Sequence, residues 1–199
     1  MSRDASPARA RRRQNVSVSQ FVRPARAADV DTVVDVQVAS WRAVYGTLLP
    51  DEVVEGLGAD EAREQFRDQW TAALESPPTS RHRLVVATDE EGGTRVVTGF
   101  AAFGPAGDPD LWPAKDAEVF ALHVDPDRVR QGHGSRLVNA CVDTLVEAGF
   151  ATVHVWVPEE ENALRSFFEA SGWRPDGARR EIDMGRLLPM VRLHAAVSQ

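Results

Sequence analysis

The chain has 199 residues, 43% of them hydrophobic, which suits one α/β domain with an ordinary core and is short for two. No apolar run approaches the roughly 20 residues that a membrane helix needs, and the single cysteine, Cys141, excludes an internal disulfide. The net charge of −7 is unevenly spread: Arg3, Arg9, Arg11, Arg12 and Arg13 face Asp4 alone in residues 1–15, so the remainder is more acidic still, which argues against nucleic acid as a partner.

Residues 1–15 are polar and unpatterned, and are expected to be a disordered Arg-rich extension to a domain spanning 16–199. No hydrophobic segment follows their charge, so they do not read as a secretory signal; a reducing cytoplasm is the expected compartment. Val16 to Val22 alternates like a strand. Val30, Val33, Val34, Val38 and Trp41 then recur at the spacing of an amphipathic helix, which Tyr45 to Pro50 breaks. Ala62, Phe66, Trp70 and Leu74, four apart, predict a second helix ended by Pro77-Pro78.

The middle of the chain is strand-like. His82–Thr88 and Val96–Phe103 flank a hairpin turn predicted at Asp89–Gly93, and residues 104–115, rich in proline and glycine, read as a loop. A strand over Ala117–Val124 ends at Asp125-Pro126. Leu137, Val138, Cys141, Val142, Leu145 and Val146 mark a helix closed by Gly149, with Cys141 as a core residue. Thr152–Val157 is a further strand, Asn162–Ser171 a short helix, and one or two antiparallel strands follow Trp173. A turn joins antiparallel neighbours, whereas the strand–helix–strand unit at 117–157 requires a parallel pair, so the sheet is mixed.

The segment Val129-Arg130-Gln131-Gly132-His133-Gly134-Ser135 lies between a strand and a helix. Glycines let the backbone turn tightly and approach a ligand, and a helix start offers free N–H groups with the positive end of a dipole. Together they make a cradle for a diphosphate, with Ser135 adding a hydroxyl and Arg130 or Arg136 a counter-charge. The third glycine and the later acidic residue of a nicotinamide fingerprint are absent, as is the Gly-Lys-Ser/Thr of a nucleotide P-loop.

That loop, the strand closed by Pro158, and Asn162-Ala-Leu-Arg-Ser-Phe-Phe-Glu-Ala-Ser-Gly-Trp173 resemble the core of the Gcn5-related (GNAT) N-acetyltransferases. Those proteins carry Gln/Arg-x-x-Gly-x-Gly/Ala and, later, Asn-x-x-Ala-x-x-Phe-Tyr-x-x-x-Gly-Phe. Arg23-Pro24-Ala25 and Ser40–Tyr45 before Leu49-Pro50 resemble one bacterial branch of the family. The resemblance implies a mixed, mostly antiparallel sheet with a central splayed parallel pair and helices on both faces. It implies acetyl-CoA as co-substrate, a small-molecule or peptide amine as acceptor, and no nucleic acid, membrane or metal; a homodimer is left open.

By the same resemblance, the backbone of Leu122, His123 and Val124 would pair with the pantetheine arm. Arg130, Gln131, Gly132, His133, Gly134 and Ser135 would hold the diphosphate, Asn162 would lie near the pantetheine or the reacting end, and Phe168 would belong to the cofactor site. Asn162 also falls where a helix N-cap belongs. Two departures stand out: Val129 replaces the Gln/Arg of the first motif, and Phe168 replaces the tyrosine that in many members protonates the leaving thiolate. Glu118, fourteen residues before Gly132, stands where histone-acetylating relatives place a catalytic glutamate and is the candidate general base, with His123 and His154 as further candidates. Trp41 and Tyr45 border the expected acceptor site, and Trp112 offers a second wall. Glu159-Glu160-Glu161 forms either an attractant for a cationic acceptor or a solvated turn. A different class of function, a sensor that binds acyl-CoA without catalysis, fits the loss of the tyrosine.

Overall fold

The computed structural model describes residues 21–197, except for the side chain of Asn162. The extension predicted for residues 1–15 and the first residues of the strand predicted over Val16–Val22 lie outside the described residues.

Strand β1 (Phe21–Pro24) leads through a short 3-10 turn into α1 (Val30–Tyr45). Arg23 clamps that entry: its guanidinium donates two hydrogen bonds, at 2.7 and 2.8 Å, to the buried Asp29, whose carboxylate also accepts from the Arg26 N–H. A short helix that the residue pattern does not announce, α2 (Asp51–Gly56), follows. It is one and a half turns long, too short to show a period, although Pro50 with Asp51 and Glu52 is a sound helix start. Helix α3 (Asp60–Glu75) follows.

Strands β2 (Arg83–Glu91) and β3 (Thr94–Pro105) form a longer hairpin than predicted. Its turn is only Gly92-Gly93, both at positive φ, the conformation that two-residue hairpins demand. Strand β4 (Asp116–Val124), helix α4 (His133–Glu147) and strand β5 (Thr152–Pro158) form the parallel unit. Helix α5 (Asn162–Ala170) and the hairpin β6 (Arg174–Asp183) and β7 (Leu187–Ala196) complete the chain.

Among the described residues, seven strands order as β1-β2-β3-β4-β5-β7-β6, with β4–β5 the one parallel pair. One face packs Leu137, Cys141 and Leu145 of α4 and Phe168 of α5 against Ala101, Val119, Val155 and Leu193. The other packs Val33 and Val34 of α1 and Trp70 of α3 against Val86 and Phe100. Burial pushes the Cys141 thiol up to about 12, which leaves it an inert part of the first core.

Candidate functional site

β4 is where the sheet changes character. Its pairing with β5 runs from Asp116↔Thr152 to Val119↔Val155 and stops, although β4 continues to Val124 and β5 to Pro158. Pairing with β3 slips at the same point: Phe103 faces Val119 and Ala102 faces Ala121, leaving Phe120 as an extra residue. A bulge bends its strand and increases the local twist. It also inverts the alternation of faces. Ala117 and Val119 point into the core under α4, so Glu118 faces the α1 side; beyond Phe120, Leu122 and Val124 point under α4 and His123 faces α1. The result is a fork whose β4 edge, Phe120 to Val124, has no strand partner toward β5 among the described residues.

The loop that enters α4 closes one side of this fork. Its backbone turns through the left-handed region twice, at Arg130 (φ 62°) and at Gly132 (φ 86°), the N-cap of α4. Among the described residues, the amides of Gln131, Gly132, His133, Gly134 and Ser135 meet no acceptor, and the first return bond is from the Arg136 N–H to the Gly132 carbonyl. Free amides at a helix start form an anion cradle. Exposed Arg130 and the half-buried Arg136, which donates to the Gln131 carbonyl at 3.1 Å, stand beside it. A Cβ on Gly134 would meet the Phe167 ring at 3.4 Å, an ordinary contact, so α5 packs directly across from the loop.

Two predicted cofactor residues present less than expected. The imidazole of His133 is buried inside the protein, where Nδ1 accepts from Arg136 (3.1 Å) and lies 2.9 Å from Thr98 Oγ1, so only its backbone N–H faces the cradle. Phe168 is wholly buried, with edge-to-face contacts to Trp173 and Phe167 at 4.9 and 5.2 Å between centroids. The half-buried Phe167 is the ring that faces Gly134, which has Val124 beside it as well.

The capping role predicted for Asn162 belongs to Glu161. The Glu161 carboxylate accepts from the Ala163 and Leu164 amides at 2.8 and 3.3 Å, and Asn162 is the first helical residue. Counted back from Gly172 and Trp173, the first position of the Asn-x-x-Ala motif falls on Glu161, so the asparagine is displaced by one residue. The other two members of the acidic trio also hold partners: Glu159 accepts from Arg179 at 2.5 Å and Glu160 from Arg186 at 2.8 Å. None of the three is merely solvated.

Glu118 is 9% exposed, pairs in register with His154 on β5, and faces the loop between β3 and β4. Burial raises its pKa, and the neighbouring Asp108 carboxylate adds to the rise; Arg180, the Gly107 backbone and Arg192 pull the other way. The other two proposed bases are weak. Trp41 Nε1–H donates to His123 Nε2 (3.3 Å), which places the ring proton on Nδ1, 3.1 Å from Ser40 Oγ. Burial lowers this imidazole to about 4, so at neutral pH it stays uncharged and a poor proton acceptor. His154 is also lowered by burial. Both of its ring nitrogens are without a hydrogen-bond partner among the described residues, with Asp176 and Asp116 at 3.6 and 3.8 Å.

A charged cluster that the sequence did not signal lies beside Glu118. Arg192 of β7, 4% exposed, bonds Asp176 (2.6 Å), Asp108 (3.0 Å) and Asp110 (2.9 and 2.5 Å). Trp156 Nε1–H adds a bond to Asp108 at 2.8 Å, and Arg180 sits 4.3 Å above its ring. This guanidinium straps the loop 106–115 to the sheet. Each residue is ordinary in sequence; only the β5-β7-β6 order brings them together.

On the α1 side, Trp41 makes edge contacts with Tyr45 and Phe66 at 5.8 and 5.5 Å and is tied to β4 through His123. Tyr45, half-buried, stands close enough to Glu161 for that charge to add to the rise that burial produces in its pKa. The end of α1 thus spans the fork from β4 toward the start of α5. A cavity of about 360 Å³ lies between α1, α3 and β2–β4, with Trp41 and Phe120 in its wall. Trp112 is 64% exposed on the strapped loop.

Comparisons agree with this geometry. The sequence model of the Acetyltransferase (GNAT) family matches residues 41–173. The chain is 32% identical over 149 residues to YuaI of Bacillus subtilis (strain 168), named an uncharacterized N-acetyltransferase, covering 75% of this chain and 77% of that one. Among solved structures, the PaiA N-acetyltransferase of Thermoplasma acidophilum in complex with coenzyme A superposes with a TM-score of 0.64 at 16% identity, over 89% of this chain and 99% of its own. YncA of Salmonella typhimurium, solved with acetyl-CoA, gives 0.63 at 19% identity, over 90% and 95%.

Proposed function

The chain belongs to the acetyltransferase (GNAT) family, whose members take the acetyl group from acetyl-CoA, and from that premise we propose that it acetylates an amine by direct attack in a ternary complex. The observation that carries the proposal is the row of amides from Gln131 to Ser135, without acceptors among the described residues, at the fork where β4 leaves β5. Those amides, with Arg130 and Arg136, fit a diphosphate, and the open edge of β4 fits an extended amide-bearing chain such as pantetheine.

Acetyl-CoA supplies the acetyl group as a thioester: the amine nitrogen forms the new C–N bond, the C–S bond breaks, and the thiolate leaves. The protein's part is to hold both partners together and to move protons. An ammonium has no lone pair, so Glu118, directly or through one water, takes the proton from the incoming amine. Its buried site makes it a stronger base than an exposed carboxylate. A backbone N–H near the bulge, on the free edge of β4, is suited to the thioester oxygen. Phe168 has no proton to give, so in this reading the thiolate takes its proton from solvent.

The direct test follows free thiol released from acetyl-CoA by the purified chain across a panel of amines. Release that depends on an amine, with the acetylated amine detected by mass, supports the proposal. Binding of acetyl-CoA with no turnover on any amine would reduce the protein to a sensor.

A further inference from the structure

We propose that the cavity between α1, α3 and strands β2–β4 is the acceptor pocket, and that it takes a small primary amine carrying an apolar ring. This rests on the acetyl-transfer reading and adds the class of acceptor.

Position is the first argument. The cavity lies on the face of the sheet to which Glu118 points, and it reaches Phe120, the bulge residue at the root of the fork. An amine seated there meets β4 where the open edge begins. About 360 Å³ is within the range of pockets that bury a small ligand.

Chemistry is the second. Arg83 is the one charged side chain among the described residues that line the cavity, and no carboxylate does. A polyamine or an aminoglycoside would have to desolvate several ammonium groups with no anion to meet them, which is costly. The polar groups present are largely engaged: Gln37 accepts from Trp70 Nε1 at 2.6 Å, and both nitrogens of His123 have partners. Aromatic surface is what remains. Phe120 is 46% exposed, its ring stacked on His82 at 5.7 Å and 12°, with Trp41 on the same cavity. A flat apolar group laid on these rings removes their surface from water and stacks in the geometry that aromatic pairs favour.

The experiment uses the full chain with acetyl-CoA and compares 2-phenylethylamine, spermidine and a short alanine-initiated peptide by thiol release. The kcat/KM for 2-phenylethylamine is expected to exceed the other two by about tenfold or more, the scale set by apolar pocket contacts. Phe120→Ala, at an exposed position that does not threaten the core, should raise KM for this amine more than it lowers kcat, and Phe120→Leu should recover part of the loss. Preference for spermidine or the peptide, or an unchanged KM in Phe120→Ala, overturns the proposal. If no amine is acetylated, the transfer reading fails separately. Calorimetry with 2-phenylethylamine then decides the pocket: binding lost in Phe120→Ala keeps it, and absence of binding to the parent chain removes it.

Discussion

Two glycines two positions apart are not equivalent. Gly132 sits at φ 86°, and a Cβ there would also come within 3.0 Å of the Arg136 guanidinium. Gly132→Ala should cost about 1 kcal/mol through backbone strain alone and distort the cradle, weakening coenzyme A binding measured by calorimetry. Gly134 is helical and its missing Cβ finds only an ordinary contact, so Gly134→Ala should bind coenzyme A almost as the parent does. At Glu118 the expected change is in catalysis instead. Glu118→Gln keeps size and polarity but cannot take a proton, so kcat at neutral pH should fall about 100-fold or more while coenzyme A affinity holds. Because burial raises the Glu118 pKa, the acid limb of the parent's pH–rate profile should lie above the ordinary carboxylate range, with activity rising as the pH passes the raised value. Equal activity in the glutamine variant would take Glu118 out of the mechanism.

Elements here are set by short-range rules and then tuned by distant partners. The helices α1, α3 and α4 were legible because Val, Leu and Trp recur at helical spacing, and the ends of β5 and α5 because Pro158 and Gly172 stop them. The cap of α5 was misplaced by one residue, since Glu161 and Asn162 are both polar and only geometry shows which side chain reaches the free amides. The bulge at Phe120 had no sequence signal: an extra residue in a strand shows only against its neighbour. The prolines and glycines of residues 104–115 predict a loop, of which β3 takes the first two residues, but nothing in them shows what fastens it. Arg192 holds it with a buried guanidinium, and removing one partner of a buried charge cluster leaves the others uncompensated. Arg192→Met should therefore destabilise the protein by about 3 kcal/mol or more in urea unfolding. Arg192→Lys should recover little, because a point charge cannot reproduce a planar fork on three carboxylates.

Across the whole molecule, buried histidines make the fold sensitive to acid. His123 titrates near 6.5 when unfolded and is held at about 4 by burial in the folded chain. Above pH 6.5 the ring is neutral in both states and the difference vanishes. As the pH falls from about 6.5 toward about 4, the unfolded state gains a proton that the folded state refuses, and stability drops. His133 and His154 are shifted the same way, by burial first. Thermal melts should show a loss of Tm across that window, and His123→Gln, which removes the titrating ring but keeps a polar side chain against Trp41, should make it shallower.

What the sequence determined by itself was local: the period of each helix, the strands ended by proline, the glycines that permit the loop at Arg130–Ser135, and the ordered motifs that place the chain in its family. These depend on neighbours within one or two turns, so they can be read along a line. The tertiary structure decided the rest: that β7 inserts between β5 and β6, that Arg192 meets three aspartates, that His133 turns inward while its amide stays free, and that Trp41 and Phe120 share a cavity. Those outcomes depend on which strand lies beside which, and strand order is settled by packing both sheet faces at once.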